Sequence, residues 1–181
     1  MKRYGAIVNA VLFQLCWIAF VAGAGRGITW PGFAALAAFA AWQLATSRVR
    51  RADVELMAFA AVLGFGVDTA YVQAGALHFA APFPSEAFAP LWIVGMWMAF
   101  ALTLNHSLAF LQRNLLAAIA LGLIGGPIAY AVAASRFGAL AFEGTALFAL
   151  ALVGIAWGVV TPLLSRLAAY LVARETVAAH A

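Results

Sequence analysis

Charge is what this sequence has least of: Asp, Glu, Lys and Arg make up 9% of its 181 residues, where a soluble domain carries about a quarter. With 67% hydrophobic residues and a mean hydropathy of +1.02, no water-soluble packing hides that much apolar surface. Hydrocarbon as the solvent removes the difficulty, and it requires every backbone group to pair inside helices or a closed barrel. Cysteine is almost missing as well. Cys16 stands alone, which excludes an intrachain disulfide and leaves the redox compartment open. Neither end carries a pattern for amino-terminal acylation or carboxy-terminal prenylation, the chain starting Met1-Lys2-Arg3 and ending Ala179-His180-Ala181.

Histidine is scarce enough to exclude chemistry. The three histidines, with His78 and His180 outside the apolar runs, cannot build the histidine boxes of membrane desaturases and hydroxylases. A haem held between two histidines inside the bilayer fails for the same reason, since only His106 lies at depth. No metal and no cofactor is therefore expected. An intramembrane aspartyl protease needs two carboxyls on facing helices. Gly64-Phe65-Gly66-Val67-Asp68 has only a superficial likeness to that class, and Glu55 lies at another depth. Ser165 with His106 as base would make a nucleophile, but nothing marks an oxyanion hole.

What the chain has is long apolar runs. They fall at residues 4–24, 30–46, 54–77, 91–111, 115–134 and 145–164, each near or above the roughly 20 residues a spanning helix needs. None shows the alternation of a lipid-facing barrel strand. The expectation is an all-α, polytopic transmembrane helical bundle of six spans forming a single domain. The first run also fits a secretory signal ending at Val21-Ala22-Gly23-Ala24, although it is longer than a typical signal core. Lys2, Arg3, Arg48, Arg50, Arg51, Arg113, Arg166 and Arg174 fall on one side of this arrangement and Arg26 and Arg136 on the other. Basic loops stay inside, so both termini are expected in the cytoplasm and the protein in a bacterial inner membrane as a multi-pass chain. The net charge of +4 then reports topology, not a nucleic-acid partner. Tyr4, Trp42 and Tyr170 at inner boundaries, and Trp30 and Trp92 at outer ones, fit headgroup anchors. The connection at residues 78–90, with Pro82, Pro84 and Pro90 among Phe79, Phe83 and Phe88, reads either as a loop resting on headgroups or as a lid at a lipid entrance. No internal repeat is visible.

Two polar zones stand inside the spans. Asp68 lies roughly 20 Å up the third span, in the outer half, with Trp97 and Tyr130 reaching a similar level. A carboxyl there is expected to be protonated, paired or facing a wet cavity, whether it serves function or hydrogen-bonds a tyrosine structurally. The inner zone centres on Asn105-His106-Ser107 at the end of the fourth span, with Glu55, Asn9, Gln43 and Thr161 near that depth. His106 with Glu55 in reach suits proton relay or headgroup binding; mutual helix-to-helix hydrogen bonding is the plainer alternative. Asp68 and His106 are thus the catalytic candidates, and Glu55, Trp97, Asn105 and Tyr130 the substrate-binding ones. Gly122, Gly126 and Pro127 in the fifth span and Gly154 and Gly158 in the sixth read as close-packing positions. Pro127 alternatively breaks its helix beside a cavity.

Thr103-Leu104-Asn105-His106-Ser107-Leu108 and the later Gly125-Gly126-Pro127-Ile128-Ala129-Tyr130, with Asp68 and Trp92, resemble the bacterial membrane family called domain of unknown function 2878. The resemblance covers nearly the whole chain. It implies a small inner-membrane protein whose family's genes often lie near those for cyclopropane-type fatty-acid modification, hence a lipid-linked role, and it carries over no catalytic residue. Three functions follow as expectations. The first is participation in acyl-lipid modification with membrane lipids as partners, as an enzyme or beside one. The second is a proton-linked carrier using Asp68, and the third a scaffold whose glycine faces dock a membrane protein or a second copy of the chain.

Overall fold

A computed structural model describes residues 3–178, without the side chain of Arg3; the expectations placed on Lys2, on the side chain of Arg3 and on His180 fall outside what is described. The chain is all-α, 78% helical. The elements are α1 (Arg3–Ala24), α2 (Trp30–Thr46), α3 (Arg50–Gln73), β1 (Leu77–Phe79), α4 (Leu91–Leu104), a 3-10 turn (Ala109–Arg113), α5 (Leu115–Ala120), a π-turn (Leu121–Gly125), α6 (Gly126–Phe137), β2 (Leu140–Phe142) and α7 (Ala146–Ala178). As α5, the π-turn and α6 run on without interruption, six long helices result.

Four of these are long and apolar enough to cross a membrane: Tyr4–Ala24, Arg50–Gln73, Leu115–Phe137 and Ala146–Ala178. The other two are shorter: α2 keeps the limits expected for it, 30–46, whereas α4 falls short of the 91–111 expected. α2 has 17 residues and α4 only 14. The fourth span, read as 91–111, ends at Leu104, and its remainder is turn and 3-10 helix. The physical reason is position. Ten residues of α4, from Trp92 to Leu104, are buried, so other helices wrap it and neither of its ends has to reach the bundle's faces. The sixth helix departs in the other direction, running 33 residues or about 50 Å where 20 were expected. The third helix stops at Gln73, and Leu77 belongs to a strand.

That strand closes one end. β1 pairs antiparallel with β2, Leu77 facing Phe142 and Phe79 facing Leu140, which ties the α3–α4 connection to the α6–α7 connection. The connection after β1 is therefore no free loop: Trp92 Nε1 donates to the Ala80 carbonyl at 2.9 Å and Ala89 N to Thr69 Oγ1 at 3.1 Å. Trp92, expected as a headgroup anchor, is 1% exposed because its indole is used in this way. Trp30, Tyr4 and Tyr170 stay exposed, as do Phe83 and Phe88.

The opposite end holds the start of α3, the α4–α5 turn and the tail of α7. Glu175 on that tail accepts from Ala52 N at 2.8 Å and Arg51 N at 3.3 Å, capping α3 where no side chain of its own does so. A carboxylate suits the free N–H groups and positive end of the helix dipole. Outside, the helices are apolar: Val62, Ile124, Leu147, Ile155 and Val159 are each over half exposed. Inside, α2 presents the stripe Gly32, Leu36, Phe39 and Gln43, the spacing of a single helical face.

Candidate functional site

The buried polar groups of α3 occupy one stripe with Leu56, Met57, Ala60 and Gly64, with Asp53 near the turn end and Asp68 towards the hairpin end. Asp68 is fully buried. Its Oδ2 accepts from Trp97 Nε1 at 2.6 Å and its Oδ1 from Tyr130 OH at 2.5 Å. Helices α3, α4 and α6 are thereby joined through one carboxyl, and the three residues that depth alone put at one level are in contact. Trp157 of α7 stacks on Trp97 with ring centroids 4.5 Å apart, and Tyr71 meets the Tyr130 ring edge-on at 6.3 Å.

At the turn end the partner of His106 is not Glu55. His106 Nε2 lies 3.0 and 3.1 Å from the two oxygens of Asp53, and Asn105 Nδ2 donates to Asp53 Oδ1 at 3.0 Å. Glu55 points the other way, pairing with Arg51 at 2.8 Å and with Arg174 on the exposed side. Helical phase explains the correction. At about 100° per residue, Asp53 stands about 60° from Asp68 around α3, whereas Glu55 stands about 140° away. Asp53 was overlooked in the sequence because the third span was read as starting at residue 54, whereas α3 starts at Arg50, and the wheel anchored on Asp68 was the signal that finds it.

A second arm of this zone joins α1, α2 and the turn. Asn9 Nδ2 donates to Gln43 Oε1 at 2.7 Å and to the Leu102 carbonyl at 3.0 Å, and Asn9 Oδ1 accepts from Ser107 Oγ at 2.5 Å. Gln112 Nε2 reaches back to Asn105 Oδ1 at 2.9 Å. Asn105, His106 and Ser107, expected inside the fourth span, instead form a turn just past α4 that is held by side chains of α1, α3 and the 3-10 turn. Thr161 takes no part in these bonds, and Ser165 Oγ donates along its own helix to the Thr161 carbonyl at 2.8 Å. That hydroxyl is thus committed away from His106. No group of three or more potential metal ligands comes together among the described residues.

The glycines of the last two long helices meet each other's neighbours. A methyl at Gly122 would stand 2.0 Å from the Trp157 carbonyl oxygen, and one at Gly126 2.7 Å from the Trp157 ring. Gly154 lies against Leu123 and Pro127, and Gly158 against the Leu123 side chain. Pro127 does not break its helix. The π-turn at Leu121–Gly125 precedes it, and the helix continues to Phe137.

Beside that π-turn lies a cavity of about 600 Å³ between α1, α4, the α5–α6 helix and α7, within the range of small-molecule sites. Trp97 and Tyr130 line it, whereas the Asp68 that they hold does not. Along α1 the lining runs from Ala10 to Val21 and along the fifth long helix from Leu121 to Ala133, a length of about 17 Å. The rim residues Ala10, Leu121 and Ile128 are exposed, so the cavity opens sideways between α1 and α5–α6. Towards the hairpin end it is closed by Trp17 edge-on to Phe137 at 5.8 Å, and by Gly25 packed on the Phe137 carbonyl.

Fold and site together define a class: an all-α bundle with an apolar exterior, internal polar clusters and a side-opening apolar cavity. The chain belongs to the family described as protein of unknown function DUF2878, whose model matches residues 6–163. No curated protein and no solved structure matches it.

Proposed function

We propose that this protein sits in a bacterial inner membrane with six helices and both termini on the cytoplasmic side, and that it binds an acyl chain of a membrane lipid in its lateral cavity, as a participant in acyl-lipid handling. The cavity is the observation that carries the reading. It is lined largely by apolar and aromatic side chains, is about 17 Å long, and opens through a side wall whose surroundings are apolar. An opening of that kind admits a ligand from hydrocarbon, not from water. The excess of Arg at the turn end, with Arg48, Arg50, Arg51, Arg113 and Arg174 against Arg26 and Arg136, supports the orientation. The carrier reading loses support because Asp68 is closed off from the cavity by bonds to Trp97 and Tyr130. The glycine-faced scaffold loses support because Gly122, Gly126, Gly154 and Gly158 pack within the chain.

The test is lipid extraction from purified protein followed by mass spectrometry. Ala129→Trp fills the cavity and Ala10→Trp obstructs its exposed rim. Each is expected to reduce co-purifying acyl lipid about tenfold, with helical content retained. Wild-type protein free of acyl chains, or Trp variants that keep the wild-type amount, would overturn the reading.

A further inference from the structure

The cavity is not open along its whole length. On α1 the lining residues Ala10 and Gln14 are exposed, whereas Trp17 is half-buried and Val21 buried; on the fifth long helix Leu121 and Ile128 are exposed and Ala133 is buried. The mouth therefore lies towards the turn end, and the chain from Ser107 to Leu115 forms its sill. Ser107 Oγ is tied to Asn9 of α1 and Leu115 opens α5, so the segment between them crosses from one wall of the mouth to the other, starting at the lining residues Ser107 and Leu108. From Leu115 up to Leu121, where the lining on the fifth long helix begins, the rise is about 9 Å. That sill carries a cation. Arg113 is exposed, shares a recess with Ala109, Phe110 and Gln112, and has no carboxylate partner among the described residues. The carboxylates of this end are already committed: Asp53 to His106 and Asn105, Glu55 to Arg51 and Arg174, and Glu175 to the backbone N–H groups of Arg51 and Ala52. Gln112 is engaged as well, Nε2 donating to the Leu104 carbonyl at 2.9 Å. An unpaired guanidinium beside an apolar mouth suits a phosphate, whose oxygens accept two parallel N–H bonds from its fork.

Building on the acyl-chain reading above, we infer that the occupant is a glycerophospholipid of the leaflet at the turn end: its phosphate pairs with Arg113 on the sill, and one of its acyl chains passes into the cavity towards Trp92 and Leu140. The rise of about 9 Å between the foot of α5 and Leu121 takes the glycerol and ester groups, and the cavity beyond takes the chain. A neutral diacylglycerol has the same chain but offers nothing to Arg113.

Competition binding on full-length protein in an uncharged detergent tests this with three probes. Dipalmitoylphosphatidylglycerol has chains and phosphate, dipalmitoylglycerol the chains alone, and glycerophosphate the phosphate alone. The phospholipid is expected to bind about fivefold more tightly than dipalmitoylglycerol, and glycerophosphate to leave bound lipid in place. Arg113→Gln should remove the preference without changing the binding of dipalmitoylglycerol, and Arg113→Lys should retain most of it. Arg48→Gln, which removes a cation from the α2–α3 connection, should not alter it. Equal binding of the two lipids by the wild type, a preference that survives Arg113→Gln, or one lost equally in Arg48→Gln overturns the sill site while leaving the acyl-chain reading standing. Displacement of the lipid by glycerophosphate overturns it too, since Arg113 would then serve a soluble phosphate. Binding of neither lipid overturns the acyl-chain reading and this one with it.

Discussion

Removing the Asp53 carboxyl tests the account of the turn end most directly. Asp53 is fully buried, and three contacts converge on it: both its oxygens lie within 3.1 Å of His106 Nε2, and Asn105 Nδ2 donates at 3.0 Å. In Asp53→Ala the imidazole and the amide lose their partner together, in a buried site. Breaking a buried, hydrogen-bonded pair by deleting one member costs about 3–5 kcal/mol. Asp53→Asn keeps the volume and one acceptor oxygen, so the loss falls to about 1–2 kcal/mol. Glu55→Gln, two residues on, removes a carboxylate whose partners Arg51 and Arg174 are on the solvent-facing side, and it should leave the unfolding midpoint essentially where it was. The assay is reversible unfolding in mixed detergent–SDS micelles, followed by far-ultraviolet circular dichroism for all three variants beside wild type. The order Asp53→Ala, then Asp53→Asn, then Glu55→Gln is expected. Were Glu55→Gln the most damaging, His106 would be paired as depth alone suggests, and the helical-phase argument would be refuted.

Two further expectations use the same assay. Asp68→Asn keeps one acceptor oxygen but turns an NH2 towards a donor at the other, either Trp97 Nε1 or Tyr130 OH, for a loss of about 1–3 kcal/mol; a wild-type midpoint would mean that the three residues are not bonded as described. Gly122→Ala drives a methyl to 2.0 Å from the Trp157 carbonyl and should cost about 1–3 kcal/mol or prevent assembly, whereas Gly66→Ala, with nothing within 4 Å, should be neutral or gain up to about 1 kcal/mol from helix propensity. Equal effects of the two would remove the close approach of the π-turn to α7.

Burial explains why some residues were legible in the sequence and others not. Asp68, Trp97 and Tyr130 could be grouped beforehand because depth along a helix is a count of residues, and a carboxyl among apolar side chains must find donors. Asn9 and Gln43 came into the inner zone by the same count, and they do bond. Asp53 was missed since the apolar run starts only after it, at residue 54, and Glu55 was taken as the partner since depth ignores direction around the axis; α3 has apolar residues on most of its circumference, Val62 and Phe65 being exposed while Leu56 and Ala60 are buried. In water the exposed face would be polar and the buried face evident. In an apolar surrounding that contrast is lost.

The limits of α4 were hidden for a related reason. Leu108 and Leu111 prolong its apolar run past Leu104, and hydropathy alone cannot tell a helix from a buried turn whose polar groups are satisfied by Asn9, Asp53 and Gln112. The pairing of β1 with β2 joins residues more than sixty positions apart, and no local pattern announces it. What the amino-acid sequence determined by itself is the apolar character of the helices, their number and the level of buried polar groups such as Asn9, Gln43 and Asp68, because these depend on composition and on rise per residue. What tertiary structure alone decided is which polar groups face one another and where a cavity remains. Both follow from the rotation and approach of helices set by glycines such as Gly122 and Gly126, and apolarity on every side leaves no trace of that rotation in the sequence.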